Sequence, residues 1–270
     1  MGNSLFENKK TLSESSLPLK NRLYQMKKMC LFVFLITFLA SCATVQTKED
    51  VIDRVWKSAG GRKVWEESRF LSFDFAPQRE GKTLASRSHL WDRYTGDYRF
   101  ETKTPENKNL LILFNINTQK GNSFLDGKVL PDSTNIKEIK KAYAYFINDS
   151  YWLFAPLKLE DEGVNVTLKD SEIIDGKEHD VLHLTFGKVG LTPGDQYWLY
   201  IDRDNGQVNR WKFLLEGEKE PGIFNWTNYK DLGGGLKLST RKEEINQKIA
   251  ITFPVASVLT SVERQKFTNR

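Results

Sequence analysis

Alternation of apolar and polar residues, cut at short intervals by tight-turn signals, is the feature that most constrains this fold. Residues 164–169, 181–186, 196–201 and 208–215 each read as an alternating strand, with both faces apolar in 196–201. Asp175-Gly176 and Asp204-Asn205-Gly206 fall between such runs, where two-residue hairpin turns favour Asn and Gly. Residues 225–229, 236–244 and 248–253 continue the pattern, with a turn at Gly233-Gly234-Gly235. Upstream, residues 70–75 and 84–94 suggest a hairpin closed near Glu80-Gly81-Lys82, followed by strands at 98–103 and 110–117 and a turn at Asp126-Gly127. The count is a β-meander of about ten or more strands, by the turn-to-turn spacing of.

Two helical segments interrupt it. Residues 48–58 carry Val51, Ile52, Val55 and Trp56 at helical spacing, and residues 62–69 add a further turn or two after Gly60-Gly61. Residues 134–148 place Ile136, Ile139, Ala142, Tyr143 and Phe146 three and four apart, with Ser133 or Thr134 expected at the cap. The apolar run then continues to Pro156, where a helix should stop.

The N-terminus reads differently. Lys27 and Lys28 precede an apolar stretch, residues 29–40, too short to span a bilayer comfortably. It ends in Leu39-Ala40-Ser41-Cys42, which resembles the lipobox of bacterial lipoprotein signal peptides. That resemblance implies cleavage before Cys42 and acylation of its thiol. Met26-Lys27-Lys28 itself reads as a good signal start, which makes residues 1–25 an expected misassigned extension. The domain expectation is a signal region over 1–41, a lipid-anchored tether over 42–47 and a single domain over 48–270.

Removing the signal changes the composition. Of 40 basic and 35 acidic residues, 34 and 33 remain after position 41, so the net charge falls from +5 to +1. A near-neutral chain gives no case for a nucleic-acid partner. Cys30 leaves with the signal, so no disulfide can form within the chain and a sizeable core must hold it. Seven Trp, nine Tyr and 17 Phe supply that core.

The order of lipobox, helix, strands, central helix and meander resembles the Lol-type lipoprotein carriers. It is closer still to exported proteins of unassigned function grouped with them. The residues that carry the likeness are 151–159 (YWLFAPLKL), 160–164 (EDEGV), 191–195 (LTPGD) and 197–211 with its Asp204-Asn205-Gly206 turn. The resemblance implies a mainly β, α+β fold: a strongly curved antiparallel sheet, or half-open barrel, with an N-terminal and a central helix. It implies a hydrophobic ligand or a lipidated protein client, and no cofactor. Candidate lining residues are Phe73, Trp91, Phe100, Phe114, Trp152, Phe154, Trp198, Tyr200, Trp211 and Trp226. Ala43, with no Asp after the lipid-carrying cysteine, points by analogy with enteric sorting to the outer membrane of a Gram-negative envelope.

Motifs for chemistry are weak. His179-Asp180-Val181-Leu182-His183 mimics the zinc motif H-E-x-x-H, which needs a helix. On a strand its two histidines lie about 13 Å apart, too far for one metal. Asp202-Arg203-Asp204 resembles the start of a calcium loop, but position twelve is Phe213 rather than a bidentate Glu. Acidic clusters at Glu160-Asp161-Glu162 and Asp170/Glu172 fall in or beside turns. The expectation is a non-catalytic binding lipoprotein. The alternatives are an envelope scaffold with a filled core, or a hydrolase using Asp161, Asp195 or Asp202 with His183.

Overall fold

A computed structural model describes residues 46–187, 194–245 and 248–270. Cys42, the signal region and the Leu191–Pro193 part of the likeness lie outside the described residues. Helix α1 (Lys48–Ser58) starts at a capping box. Thr47 accepts a hydrogen bond from the Asp50 N–H, and the Asp50 carboxylate accepts one back from the Thr47 N–H. Its buried stripe is Val51, Ile52, Val55 and Trp56, the residues that the spacing predicts. A short α2 (Arg62–Glu67) follows.

The strands come next: β1 (Phe70–Arg79), β2 (Lys82–Thr83), β3 (Arg87–Asp92), β4 (Asp97–Lys103), β5 (Asn109–Asn115), β6 (Lys120–Leu125) and β7 (Lys128–Val129). Helix α3 (Asp132–Phe154) and a 3-10 turn (Ala155–Leu157) separate them from β8 (Val164–Ile174), β9 (Lys177–Phe186), β10 (Gln196–Asp202), β11 (Val208–Leu214), β12 (Gly222–Asp231), β13 (Lys237–Glu244), β14 (Ile249–Thr252) and β15 (Ala256–Leu259). A last turn of helix, α4, covers Gln265–Thr268. Among the described residues no helix is long and apolar enough to cross a membrane.

The strands form one antiparallel sheet in the order β7-β6-β5-β4-β3-β1-β14-β13-β12-β11-β10-β9-β8, with β2 and β15 also on β1. Its ends, β7 and β8, do not pair, so it is not closed. Turn chemistry sets the registers. Asp126 and Gly127, and likewise Asp175 and Gly176, have positive φ at both positions, the backbone that a tight hairpin requires. Strand β1 joins the two halves. Its first part pairs with β3 and β15, and its second, from Ala76 on, with β14 and β2.

The sheet curls around α3. Asp149 of α3 reaches β3, and Trp152, one turn later, meets Trp211 of β11 and Phe224 of β12 edge to face. In a flat sheet β3 and β11 would stand about 24 Å apart, at ~4.8 Å per strand. Only a curved sheet brings both to one helical turn. The half-open, curved architecture implied by the Lol-type resemblance is therefore present in the chain. The central helix departs from expectation at both ends. It starts at Asp132 with Pro131 at the cap and no side-chain cap bond, because Pro131 presets the entry backbone. It also runs on to Phe154, where Ala155 and Pro156 tighten it into the 3-10 turn. Strands β6 and β15 and helix α4 carried no strong alternation and went unforeseen.

The helix is pinned by a buried polar network. Arg87 clasps Asp149 through Nε (2.6 Å) and Nη2 (2.8 Å). His89 Nε2–H donates to Asp149 at 3.1 Å, and Tyr98 Oη donates to His89 Nδ1 at 2.8 Å, which is the pattern of a neutral imidazole. His89 also stacks on Phe73 at 4.5 Å. Burial drives the His89 pKa below its ordinary value. Burial pushes Asp149 upward, but its bonds to His89 and Arg87 reverse the shift, and the net is below the ordinary carboxylate value.

Removing one partner of such a pair strands a buried charge. Asp149→Ala should cost about 3–5 kcal/mol, read as a lower midpoint in urea unfolding. A histidine with a lowered folded pKa and an aspartate with a lowered one both favour the folded state above their unfolded values. Stability should therefore fall as pH drops below 6.5, the ordinary histidine value, and fall further as Asp149 takes up a proton. An unfolding midpoint that stays constant from pH 7 to pH 4 would contradict this.

Candidate functional site

The inside of the curve is solid at one end and hollow at the other. Beneath β1 and β3–β5, Phe73, Phe100 and Phe154 are each 1% exposed and pack with Phe114 and Trp91 into continuous core. Between the C-terminal half of α3 and strands β8–β11 lies a cavity of about 580 Å3. That size suits a small-molecule ligand.

Its walls follow from strand alternation and helix pitch. Trp211 and Phe213 project inward from β11, Tyr197 from β10, Phe186 from the end of β9 and Val164 from the start of β8. From α3 come Phe146, Tyr151 and Trp152. The rings meet mostly edge to face: Trp152–Trp211 at 4.6 Å, Phe186–Tyr197 at 4.8 Å and Tyr197–Trp211 at 5.1 Å. This is the geometry that ring quadrupoles prefer. Of the polar lining residues, Asn148, Asp161 and Glu162 are exposed and form a rim, Lys158 is half-buried, and Ser150 and Asp195 are buried. Lys158 pairs with Asp161 at 3.2 Å, and both Asp161 and Glu162 are exposed. Asp195 accepts from Tyr197 Oη at 3.1 Å and from the Glu216 N–H at 2.8 Å. Burial and the neighbouring Asp195 raise the Tyr197 pKa, and burial raises that of Tyr151, so both phenols stay protonated.

Of the ten candidate lining residues, the structure places Trp152 and Trp211 on the cavity. Phe73, Trp91, Phe100, Phe114, Phe154 and Trp226 lie in the packed core. Trp198 and Tyr200 face the other side of the sheet, with Ile174 and Val181. There Trp198 sits between His183, stacked at 4.7 Å, and the Lys212 ammonium at 4.4 Å. The wall residues Tyr151, Phe186, Tyr197 and Phe213 were not singled out, although the period of two puts Tyr197 opposite Trp198 on its strand.

The residues weighed for hydrolysis divide. Asp161 and Asp195 line the same cavity. His183 faces away from it and bonds Gln196 at 3.0 Å. Asp202 ends β10, where it accepts from the Asp204 N–H and Asn209. The His179–His183 segment is strand, and among the described residues no group of three or more His, Cys, Asp or Glu could hold a metal.

Two polar atoms of wall residues, Tyr151 Oη and Trp211 Nε1, are buried without a hydrogen-bond partner. A hydroxyl sealed from water and protein acceptors costs about 1–3 kcal/mol. Tyr151→Phe should therefore stabilise the fold against urea by a free energy within that range, and a loss of stability would show that the hydroxyl is satisfied in solution.

No family model matches the chain, and no curated protein matches it. Among solved structures, it is similar to a DUF1329 family protein from Desulfovibrio piger at 13% identity, over 83% of this chain and 98% of that one, with a TM-score of 0.47. A LolA superfamily protein from Nitrosomonas europaea matches at 11% identity, over 83% and 99%, with a TM-score of 0.47. The Mycobacterium tuberculosis lipoprotein LppX matches at 9% identity, over 80% and 100%, with a TM-score of 0.33.

Proposed function

We propose that this chain is a lipid-anchored envelope protein, held at the outer membrane through Cys42, that binds an apolar ligand without chemistry. The observation that carries the reading is the cavity of about 580 Å3 walled by aromatic rings. Apolar surface moved from water gains ~25 cal/mol per Å2, so a lipid chain or the acyl group of a lipidated protein gains several kcal/mol by entering. The polar rim leaves a headgroup or attached peptide in water. A pure scaffold would gain stability by filling the space with side chains, as the opposite end of the same interior is filled.

The test is binding of N-phenyl-1-naphthylamine, a neutral apolar fluorophore. Saturable uptake is expected, and Val164→Trp, which projects an indole into the cavity from β8, should weaken it at least tenfold. Absence of saturable uptake would sink the reading. For the anchor, an alkyne-bearing fatty acid fed to expressing cells should label the protein, and Cys42→Ser should abolish the label. Label retained in that variant would place the lipid elsewhere.

A further inference from the structure

All seven tryptophans of the chain lie among the described residues. Five carry a lysine or arginine head group over the ring. Arg62 lies 5.3 Å from the centroid of Trp56, and Arg93 lies 3.5 Å from Trp65 and 5.8 Å from Trp91. Lys212 lies 4.4 Å from Trp198, and Lys242 lies 4.5 Å from Trp226. Lys242 is fully buried, which drives its pKa well below the ordinary lysine value, and its one hydrogen bond among the described residues goes to the Ser239 carbonyl at 2.6 Å. Among the described residues no lysine or arginine lies over the other two, Trp152 and Trp211. Those two are the tryptophans that line the cavity: Trp211 is buried among other rings, and Trp152, half-buried, offers its surface.

The charges around the cavity point the same way. The exposed carboxylates of its described lining, Asp161 and Glu162, face one ammonium, Lys158. Lys158 is committed to Asp161 at 3.2 Å. Glu162 is exposed and makes no ion pair or hydrogen bond among the described residues. Aromatic faces attract a positive charge through their quadrupole, and a partly desolvated site strengthens that attraction. Carboxylates at the rim add to it and oppose an anionic headgroup.

We infer that the cavity selects a cationic amphiphile, an apolar body bearing a primary or quaternary ammonium. The ammonium lies against the half-buried ring of Trp152, in the field of Asp161 and Glu162. This rests on the reading of the cavity as a ligand site and narrows the class of ligand it takes. Free fatty acids and other anionic amphiphiles are selected against.

Three probes of one chain length separate the two ideas: octyltrimethylammonium, octyl glucoside and octanoate, each titrated calorimetrically below its micelle concentration. The cation should bind about tenfold tighter than the glucoside, with octanoate the weakest of the three. Glu162→Gln should narrow the gap between cation and glucoside several-fold. Trp198→Leu, which removes a ring already occupied by Lys212 on the other face, should leave the gap as it was. Equal affinity for cation and glucoside, tighter binding of octanoate, or a gap unmoved by Glu162→Gln would overturn the charge selection while the apolar site stands. Failure of all three probes to bind would overturn both. Vesicles of phosphatidylcholine with stearylamine then distinguish the source. Withdrawal of stearylamine into the protein supports a membrane-derived ligand with the same chemistry, and retention in the vesicles alongside binding of the dissolved cation supports a soluble one.

Discussion

The bond between Asp149 and the Arg87–His89 pair is the constraint on which the rest of the interior depends. A helix lying inside a curved sheet could rotate or slide with little change in apolar contact, because rings and aliphatic side chains pack without strong direction. A buried carboxylate removes that freedom. Asp149 is fully buried and is satisfied by Arg87 and His89 at a single rotation of α3. Its place on the helix then fixes its neighbours. Trp152, three residues on, must face β11 and β12, and Phe146, three residues back, must meet Trp91 and Tyr98 at 5.1 Å. The roof of the cavity is thus oriented from outside the cavity.

A second set of polar contacts holds the other face of the closure. Asp180, buried on β9, takes bonds from Arg54 of α1 and from Arg203 of the β10–β11 turn. Trp56 Nε1 and Arg62 both donate to Glu160, just after the 3-10 turn. At Gly206, an added Cβ would stand 2.5 Å from the Arg54 carbonyl, so the turn needs glycine to dock beneath α1. Helix α1 therefore fastens the segment leaving α3 to the far hairpins. Charged groups specify the places where apolar packing alone would permit sliding.

Much of this architecture was legible in the chain, for a physical reason. Hairpins write themselves locally: Asp126-Gly127, Asp175-Gly176 and Asp204-Asn205-Gly206 mark turns, and alternation marks strands. The helices followed from their spacing, except where Pro131 and the aromatic run up to Phe154 moved the ends. Strand β6 was hidden because its residues, Lys120 to Leu125, include Gly121, Asn122 and Ser123 and show little alternation. Gly121 is required there, since a Cβ would meet the Leu113 carbonyl at 2.0 Å. The site was less legible. On β10 both faces are apolar, so alternation alone could not say whether Tyr197 or Trp198 looks inward. Register could have helped. The 204–206 turn sets Trp198 opposite Lys212, and β9 sets it opposite His183, which marks that face as the wetter one. What no local pattern could supply is the curl that brings α3 against β11.

The curl also explains why one end is full and the other hollow. Under β3–β5 the helix approaches on its Asp149 side, and Phe73, Phe100 and Phe154 fill the space between. Past Trp152 the helix ends, the chain turns through Ala155-Pro156-Leu157, and β8 closes the sheet as a lone edge. Among the described residues no further element covers the inner faces of β9–β11 at that end. Their alternating positions nonetheless carry Phe186, Tyr197, Trp211 and Phe213, residues too large and apolar for a face meant only for water. Unfilled apolar space costs stability in proportion to its volume. Polar side chains at those positions would remove the cost, and larger ones would close the gap. A wall that does neither keeps an apolar surface available to something other than the chain itself.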